Sequence, residues 1–179
     1  MNWEGVMPAI TTKFTDDDKL DLDLFNKNIN AQLDAGVSAI VLGGSLGEAS
    51  TLTNDEKNIL TKNTIQLTNG KIPVVVNIAE QSTKEAVNSA ISAEENGASG
   101  LMVLPPMRYK SCDVETVTYF KEIAKNTSLP IMIYNNPVDY KIEVTLDMFD
   151  QLIQFENIQA VKESTRDVTN VTRMKNRFG

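Results

Sequence analysis

The sequence predicts an α/β fold built on a parallel sheet, and three observations carry that prediction. Short β-branched apolar runs alternate with longer amphipathic stretches along the whole chain. The runs Ile40-Val41-Leu42 and Val74-Val75-Val76 are continuously apolar, as strands covered on both faces are. Strand starts recur roughly every 30 residues, the length of one βαβ unit. No linker, low-complexity tract or composition shift interrupts the series, so residues 1–179 are expected to form a single domain. Six consecutive βα units suit either a doubly wound sheet or part of an eight-stranded (β/α)8 barrel, and a full barrel normally needs about 250 residues.

The elements follow in order. Strands are expected at Gly5–Thr12, Ser38–Gly43, Ile72–Ile78, Ser99–Leu104, Pro130–Tyr134 and Ile158–Lys162. Helices are expected at Leu22–Ala35, Asn54–Thr68, Lys84–Asn96, Val114–Asn126, Leu146–Gln154 and Val168–Arg177. In the first helix Leu22, Phe25, Ile29 and Leu33 fall on one stripe, which predicts the face that packs on the sheet. Thr53-Asn54-Asp55-Glu56 and Ser82-Thr83-Lys84-Glu85 each offer a capping hydroxyl with an acid in the first turn. Gly36 and Gly97 stand where a helix ends in a left-handed residue.

Composition removes whole classes of chemistry. The chain contains no histidine, so Ser-His-Asp and Cys-His pairs, HExxH zinc sites and imidazole bases are all absent. Catalysis must run on Lys, Tyr, Ser, Thr or carboxylates. The single cysteine, Cys112, has no partner for an intrachain disulfide and no imidazole to activate it, so it reads as a bystander thiol in a reducing compartment. Seventeen basic against twenty-four acidic residues leave a net charge of −7, which argues against nucleic-acid and membrane-surface partners. The start of the chain, Met1 to Gly5, has neither a basic stretch nor a long apolar core. No later segment approaches the ~18 uncharged apolar residues of a membrane span. A cytoplasmic protein is expected. Asp16-Asp17-Asp18 lacks the central glycine and distal glutamate of a calcium loop and reads as a solvated turn. The two Asn-x-Ser/Thr matches, at Asn126 and Asn170, read as chance.

Parallel α/β architectures gather functional groups at the carboxyl ends of their strands. There the sequence offers Thr11-Thr12, Gly43-Gly44-Ser45-Leu46-Gly47-Glu48, Pro105-Pro106-Met107-Arg108-Tyr109, Tyr134-Asn135-Asn136-Pro137 and Lys162-Glu163-Ser164. Lys162 closes an apolar strand, where desolvation favours the neutral amine that attacks a carbonyl. Tyr134 ends the preceding strand, where a phenol is able to shuttle protons to and from a carbinolamine. The glycine-punctuated stretch Gly43–Glu48 resembles neither a Walker loop nor a GxGxxG turn, but its amides suit a carboxylate or phosphate. Glu48 reads as a helix-start carboxylate, with an acid/base role as the alternative.

Taken together, Gly44-Ser45-Leu46-Gly47-Glu48, Tyr134-Asn135-Asn136-Pro137 and Val161-Lys162-Glu163-Ser164 resemble the dihydrodipicolinate synthase / N-acetylneuraminate lyase family of class I lyases. The resemblance runs from Gly5 to the last residue. It implies a TIM (β/α)8 barrel, of which this chain covers about six βα units, and a usually tetrameric homo-oligomer that needs no cofactor or metal. It further implies that Lys162 forms a Schiff base with pyruvate or a related 2-keto acid, with Tyr134 as proton shuttle. Ser45 joins the hydroxyl relay, and the amides of Ser45 and Leu46 hold the carboxylate. Thr12, Tyr109 and Asp139 fall at further substrate-binding positions.

The chain departs from the family pattern at several of these. Leu46 replaces a hydroxyl residue, Pro106-Met107 stands in place of a Tyr-Tyr pair and leaves Tyr109 as the available substitute, and Lys13 replaces a customary proline. Asp139 stands where the synthases carry an arginine for the second substrate's carboxylate. The Schiff-base half of the site is therefore expected intact and the second-substrate half altered. Dehydratases or deaminases of sugar acids and hydroxyproline-derived keto acids are the alternatives within the family, and a non-catalytic barrel fragment or binding module is the alternative outside it. An incomplete barrel is expected to expose sheet edges and to associate with itself or with missing sequence.

Overall fold

The structure, a computed structural model, describes residues 1–106 and 110–179. After an extended N-terminal segment the chain runs α1 (Leu22–Asp34), β1 (Ile40–Leu42), α2 (Asn54–Thr68), β2 (Val74–Ile78), α3 (Thr83–Glu95), β3 (Gly100–Val103) and α4 (Asp113–Lys125). It continues through β4 (Ile131–Asn135), a one-turn α5 (Pro137–Tyr140), α6 (Leu146–Leu152), β5 (Ile158–Glu163) and α7 (Val168–Phe178). The five strands form one parallel sheet in the order β1-β2-β3-β4-β5, each neighbour in space being the neighbour in sequence. That progression is the winding of a (β/α) barrel rather than of a doubly wound sheet, whose strand order reverses at a switch point.

Sequence chemistry explains why each element starts where it does. Thr53 and Glu56 form a reciprocal capping box at α2, with the Glu56 carboxylate accepting from the Thr53 amide at 2.8 Å. Those bonds hold the Glu56 carboxyl below its usual pKa range. Ser82 caps α3 and Thr145 caps α6 through their hydroxyls. At α4 the Glu115 carboxylate reaches back to the Cys112 amide at 2.8 Å. Gly36 and Gly97 follow α1 and α3 with φ of +75° and +88°, as the sequence predicts.

The first predicted strand, Gly5–Thr12, is corrected by the structure. Only Ala9 bridges β1, through Val41, although the segment runs alongside with Ser38 N–H donating to Val6 and Ile10 N–H donating to Val41. Pro8 has no donor for the ladder and serves only as acceptor for the Val41 amide, which keeps the pairing intermittent.

Two outer apolar layers cover the sheet. Phe25, Ile29, Leu60, Ile40 and Val74 join α1 and α2 to the first strands. Ala86, Ala90, Phe120, Ile123, Ile133 and Leu152 join α3, α4 and α6 to the rest. The opposite face gathers Val41, Val75 and Met102 with Trp3, Met132 and Tyr134. One irregularity sets the last strand: pairing steps from Ile131↔Ile158 to Met132↔Ala160, so Gln159 is the extra residue of a β-bulge. Beyond it Tyr134 lies opposite Lys162.

Candidate active site

The register of β4 and β5 brings the two predicted residues together. Lys162 Nζ lies 4.1 Å from the centroid of the Tyr134 ring, with both side chains half-buried at the carboxyl ends of their strands. Asn135, fully buried between them in sequence, is spent on structure. Its amide exchanges two hydrogen bonds with the Val144 backbone, at 3.1 and 2.9 Å, and donates to Glu163 at 3.1 Å. Glu163 also accepts from Asn170 at 2.9 Å and from the Thr165 amide at 2.8 Å, which anchors the segment between β5 and α7. Lys162 therefore stands on a strand end clamped from both sides.

A polar strut crosses from Tyr134 to Asp139. Asn136 donates one amide hydrogen to Tyr134 Oη at 3.1 Å and the other to Asp139 Oδ2 at 2.7 Å, while its carbonyl caps α5. Pro137 opens that short helix at N1, where its missing N–H costs nothing. Asp139 lies with its other oxygen 3.9 Å from Arg166 Nη2, an exposed ion pair. Arg166 holds its backbone at φ +65° directly after Thr165.

The loop after β1 makes one 3₁₀ turn, Ser45–Gly47. Two struts fix its path: Thr12 Oγ1 donates to Gly47 O at 2.6 Å, and Asn77 Nδ2 donates to Gly43 O at 2.7 Å. Gly47 is required there, because a Cβ would come within 2.7 Å of the Ile10 carbonyl. Thr12 is buried and its hydroxyl serves the loop. The Ser45 and Leu46 side chains are exposed. Glu48 corrects the helix-start reading: it ends the 3₁₀ turn in the left-handed region at φ +60°, five residues before the Thr53 cap.

Tyr140, which the sequence reading missed, ties these parts together. Its hydroxyl hydrogen-bonds Ser45 Oγ, and its ring meets the Tyr134 ring edge-on at 5.7 Å between centroids. Burial pushes its phenol up from the ordinary pKa, with the Ser45 bond acting in the opposite direction. A usable signal was present, since Pro137 at a helix start puts the residue three positions on one turn above it. Tyr109, the remaining predicted site residue, lies outside the described residues.

A profile of the dihydrodipicolinate synthetase family matches residues 2–179. The chain belongs to the dihydrodipicolinate synthetase family. It is 34% identical over 167 residues to the 4-hydroxy-tetrahydrodipicolinate synthase of Exiguobacterium sibiricum, covering 93% of this chain and 57% of that protein. The same enzyme of Methanoculleus marisnigri is 32% identical over 174 residues, with 96% and 60% covered. Among solved structures, the dihydrodipicolinate synthase of Aquifex aeolicus matches with a TM-score of 0.94 at 30% identity over 99% of this chain and 60% of that one. The chloride-inhibited synthase of Acinetobacter baumannii, complexed with pyruvate, matches with a TM-score of 0.94 at 27% identity, over 98% and 60%. The chain thus spans about three fifths of the relatives it matches, and within that span this family member follows their TIM-barrel fold.

Among the described residues, no group of three or more Cys, Asp or Glu side chains is arranged to hold a metal ion. No described helix is long and apolar enough to cross a membrane. Cys112 is exposed and unpaired.

Proposed function

We propose that the chain is a Schiff-base lyase or aldolase acting on pyruvate or a related 2-keto acid, with Lys162 as nucleophile. The observation that carries this reading is the Lys162 amine 4.1 Å from the Tyr134 ring centroid on the adjacent strand end, because an amine beside a phenol has both groups that carbinolamine chemistry needs. The neutral amine adds to C2 of the keto acid, forming the N–C bond as the carbonyl pair moves onto oxygen. A proton passes from nitrogen to that oxygen, a second taken from solvent lets it depart as water, and the nitrogen lone pair closes the iminium. Loss of a proton from C3 then yields the enamine, the carbon nucleophile for bond making; bond breaking runs the same steps in reverse.

Tyr134 and Ser45 carry these protons in the proposed mechanism. The amides of Ser45 and Leu46 receive the carboxylate, since the first residues of a helical turn have no preceding carbonyl within it to donate to. Thr12 acts by holding the loop through Gly47. Tyr109 and Asp139 are assigned to the side that takes the second substrate. The reading needs no metal or organic cofactor and includes a cytoplasmic homo-oligomer of a single domain, tetrameric as the family resemblance implies. The pyruvate bound by the Acinetobacter baumannii synthase supports the keto-acid assignment.

The test is chemical trapping. Pyruvate with borohydride is expected to add a reduced pyruvyl group to a peptide containing Lys162, and Lys162→Ala to abolish the adduct. Labelling at another residue, or undiminished labelling of the variant, overturns the assignment.

A further inference from the structure

We propose that Asn77 is a positioning residue for the keto-acid site: its amide locks the peptide between Gly43 and Gly44, and that lock aligns the loop that receives the substrate's carboxylate. The inference rests on the Lys162 reading and on the assignment of the loop amides to the carboxylate, and adds to them a residue of β2.

The placement of Asn77 follows from strand register. Val41 and Val75 pair with each other on the inner face of the sheet, with Met102 beside them. Asn77 lies two residues beyond Val75 and opposite Met102, so its side chain points to that same face. It is buried there, and its Nδ2 donates to the Gly43 carbonyl at 2.7 Å. Among the described residues this is the side chain's only hydrogen bond, since Oδ1 has no partner.

The peptide that Asn77 holds has little else to fix it. Gly43 sits at φ +63° and is followed by Gly44 in extended backbone at the start of the 3₁₀ turn. A Cβ at Gly43 would meet nothing within 4 Å, so no wall sets the orientation of the backbone there. Glycine adopts either sign of φ with similar ease, which leaves a Gly-Gly peptide free to turn over. Carbonyl and N–H point opposite ways across a trans peptide, so a bond to the Gly43 carbonyl also sets the direction of the Gly44 N–H. Downstream, the Gly44 carbonyl accepts from the Gly47 amide at 2.9 Å, which closes the turn carrying Ser45 and Leu46. Asn77 thus acts on the entry to the turn, and Thr12 on its exit through Gly47. A carboxylate held by consecutive amides depends on their shared direction, which a free peptide at the entry would blur.

The experiment measures reductive trapping of the whole chain by cyanoborohydride. Adduct formation is read by intact mass across a range of pyruvate and of methyl pyruvate, the ester that lacks the carboxylate charge. Asn77→Ala removes the donor. It is expected to raise the half-saturating pyruvate concentration about tenfold, with the limiting rate and the half-saturating ester concentration each within about twofold of the unmodified chain. Asn77→Asp keeps the shape and gives a second reading that does not depend on the first variant folding. Its protonated carboxyl donates to the Gly43 carbonyl as the amide does, whereas the carboxylate repels that carbonyl and attracts the Gly44 N–H. The ratio of its half-saturating pyruvate concentration to that of the unmodified chain is therefore expected to lie near one at acid pH and to climb to about tenfold as the pH rises. An unchanged pyruvate requirement in Asn77→Ala overturns the proposal, as does an equal rise for pyruvate and its ester, which marks general damage to the site. A pH-independent ratio for Asn77→Asp overturns it too. In each of these cases trapping of the unmodified chain at Lys162 leaves the Schiff-base reading standing, while no trapping in the unmodified chain overturns both.

Discussion

Asp139 holds its carboxylate against the Asn136 amide and within reach of Arg166, one strut away from the Tyr134 hydroxyl. On the proposed assignment of Asp139 to the second-substrate side, a substrate carrying its own distal carboxylate meets a like charge there, and unfavourable juxtapositions of that kind are what set a binding site against a ligand. Condensation of pyruvate with aspartate semialdehyde is therefore expected to be poor, and Asp139→Asn, which keeps a partner for Asn136 and frees Arg166, to lower KM for that aldehyde by about tenfold. Steady-state kinetics decide it: efficient condensation by the unmodified chain would show that Asp139 does not face the substrate. Tyr119 makes a second residue-scale case. It is buried, its hydroxyl donates to the Glu80 carbonyl at 3.4 Å, and burial, followed by the Glu80 charge, pushes its phenol far above the ordinary value. The folded chain thus keeps a proton that the unfolded chain releases above about pH 10, so the stabilisation is complete below that pH and is lost as pH rises beyond it. Urea melts should show the alkaline loss in the unmodified chain and a smaller one in Tyr119→Phe. The juxtaposition of Lys162 and Tyr134 was legible because both close apolar runs on consecutive strands, whose ends a parallel sheet sets side by side. Tyr140 and Arg166 were not, because each acts through a side-chain contact that joins distant parts of the chain.

At the scale of elements, α2 depends on its first turn. Thr53→Ala removes the hydroxyl that accepts from Glu56 N–H and should cost about 1 kcal/mol, read as a shift in the urea midpoint with an unchanged slope. A loss below about 0.3 kcal/mol would mean that packing of Leu60 and Thr64 alone fixes the start of the helix. Helix positions came through the sequence well, since caps, terminal glycines and the Phe25–Ile29 stripe are local signals that packing reinforces. The N-terminal strand did not, because its apolar run advertises a ladder that Pro8 interrupts. The bulge at Gln159 was equally invisible: nothing within β5 marks which residue is left unpaired, and the choice is made by the partner strand.

For the molecule as a whole, the covering of the sheet is uneven. Among the described residues β5 pairs with β4 alone, and beside it Ile158, Val161, Val171, Met174 and Phe178 line an apolar cavity of about 400 Å3. A strand edge next to exposed apolar surface favours association, so a polypeptide of these 179 residues is expected to scatter light above its 19.8 kDa. A monodisperse monomer with turnover would show that the edge needs no cover. The same strand has an unequal tolerance for lost residues. Gln159 is slack: with it deleted, Ala160 still meets Met132, Lys162 still meets Tyr134, and the amine stays on the reacting face, at the expense of the Trp3 contact to Gln159. β4 has no such reserve on the approach to Tyr134, because Met132, Ile133 and Tyr134 pair one-to-one with Ala160, Val161 and Lys162. Deleting Ile133 leaves the tyrosine one step short and turns it toward the helices. A single lost codon is thus silent in one strand and ruinous in its neighbour.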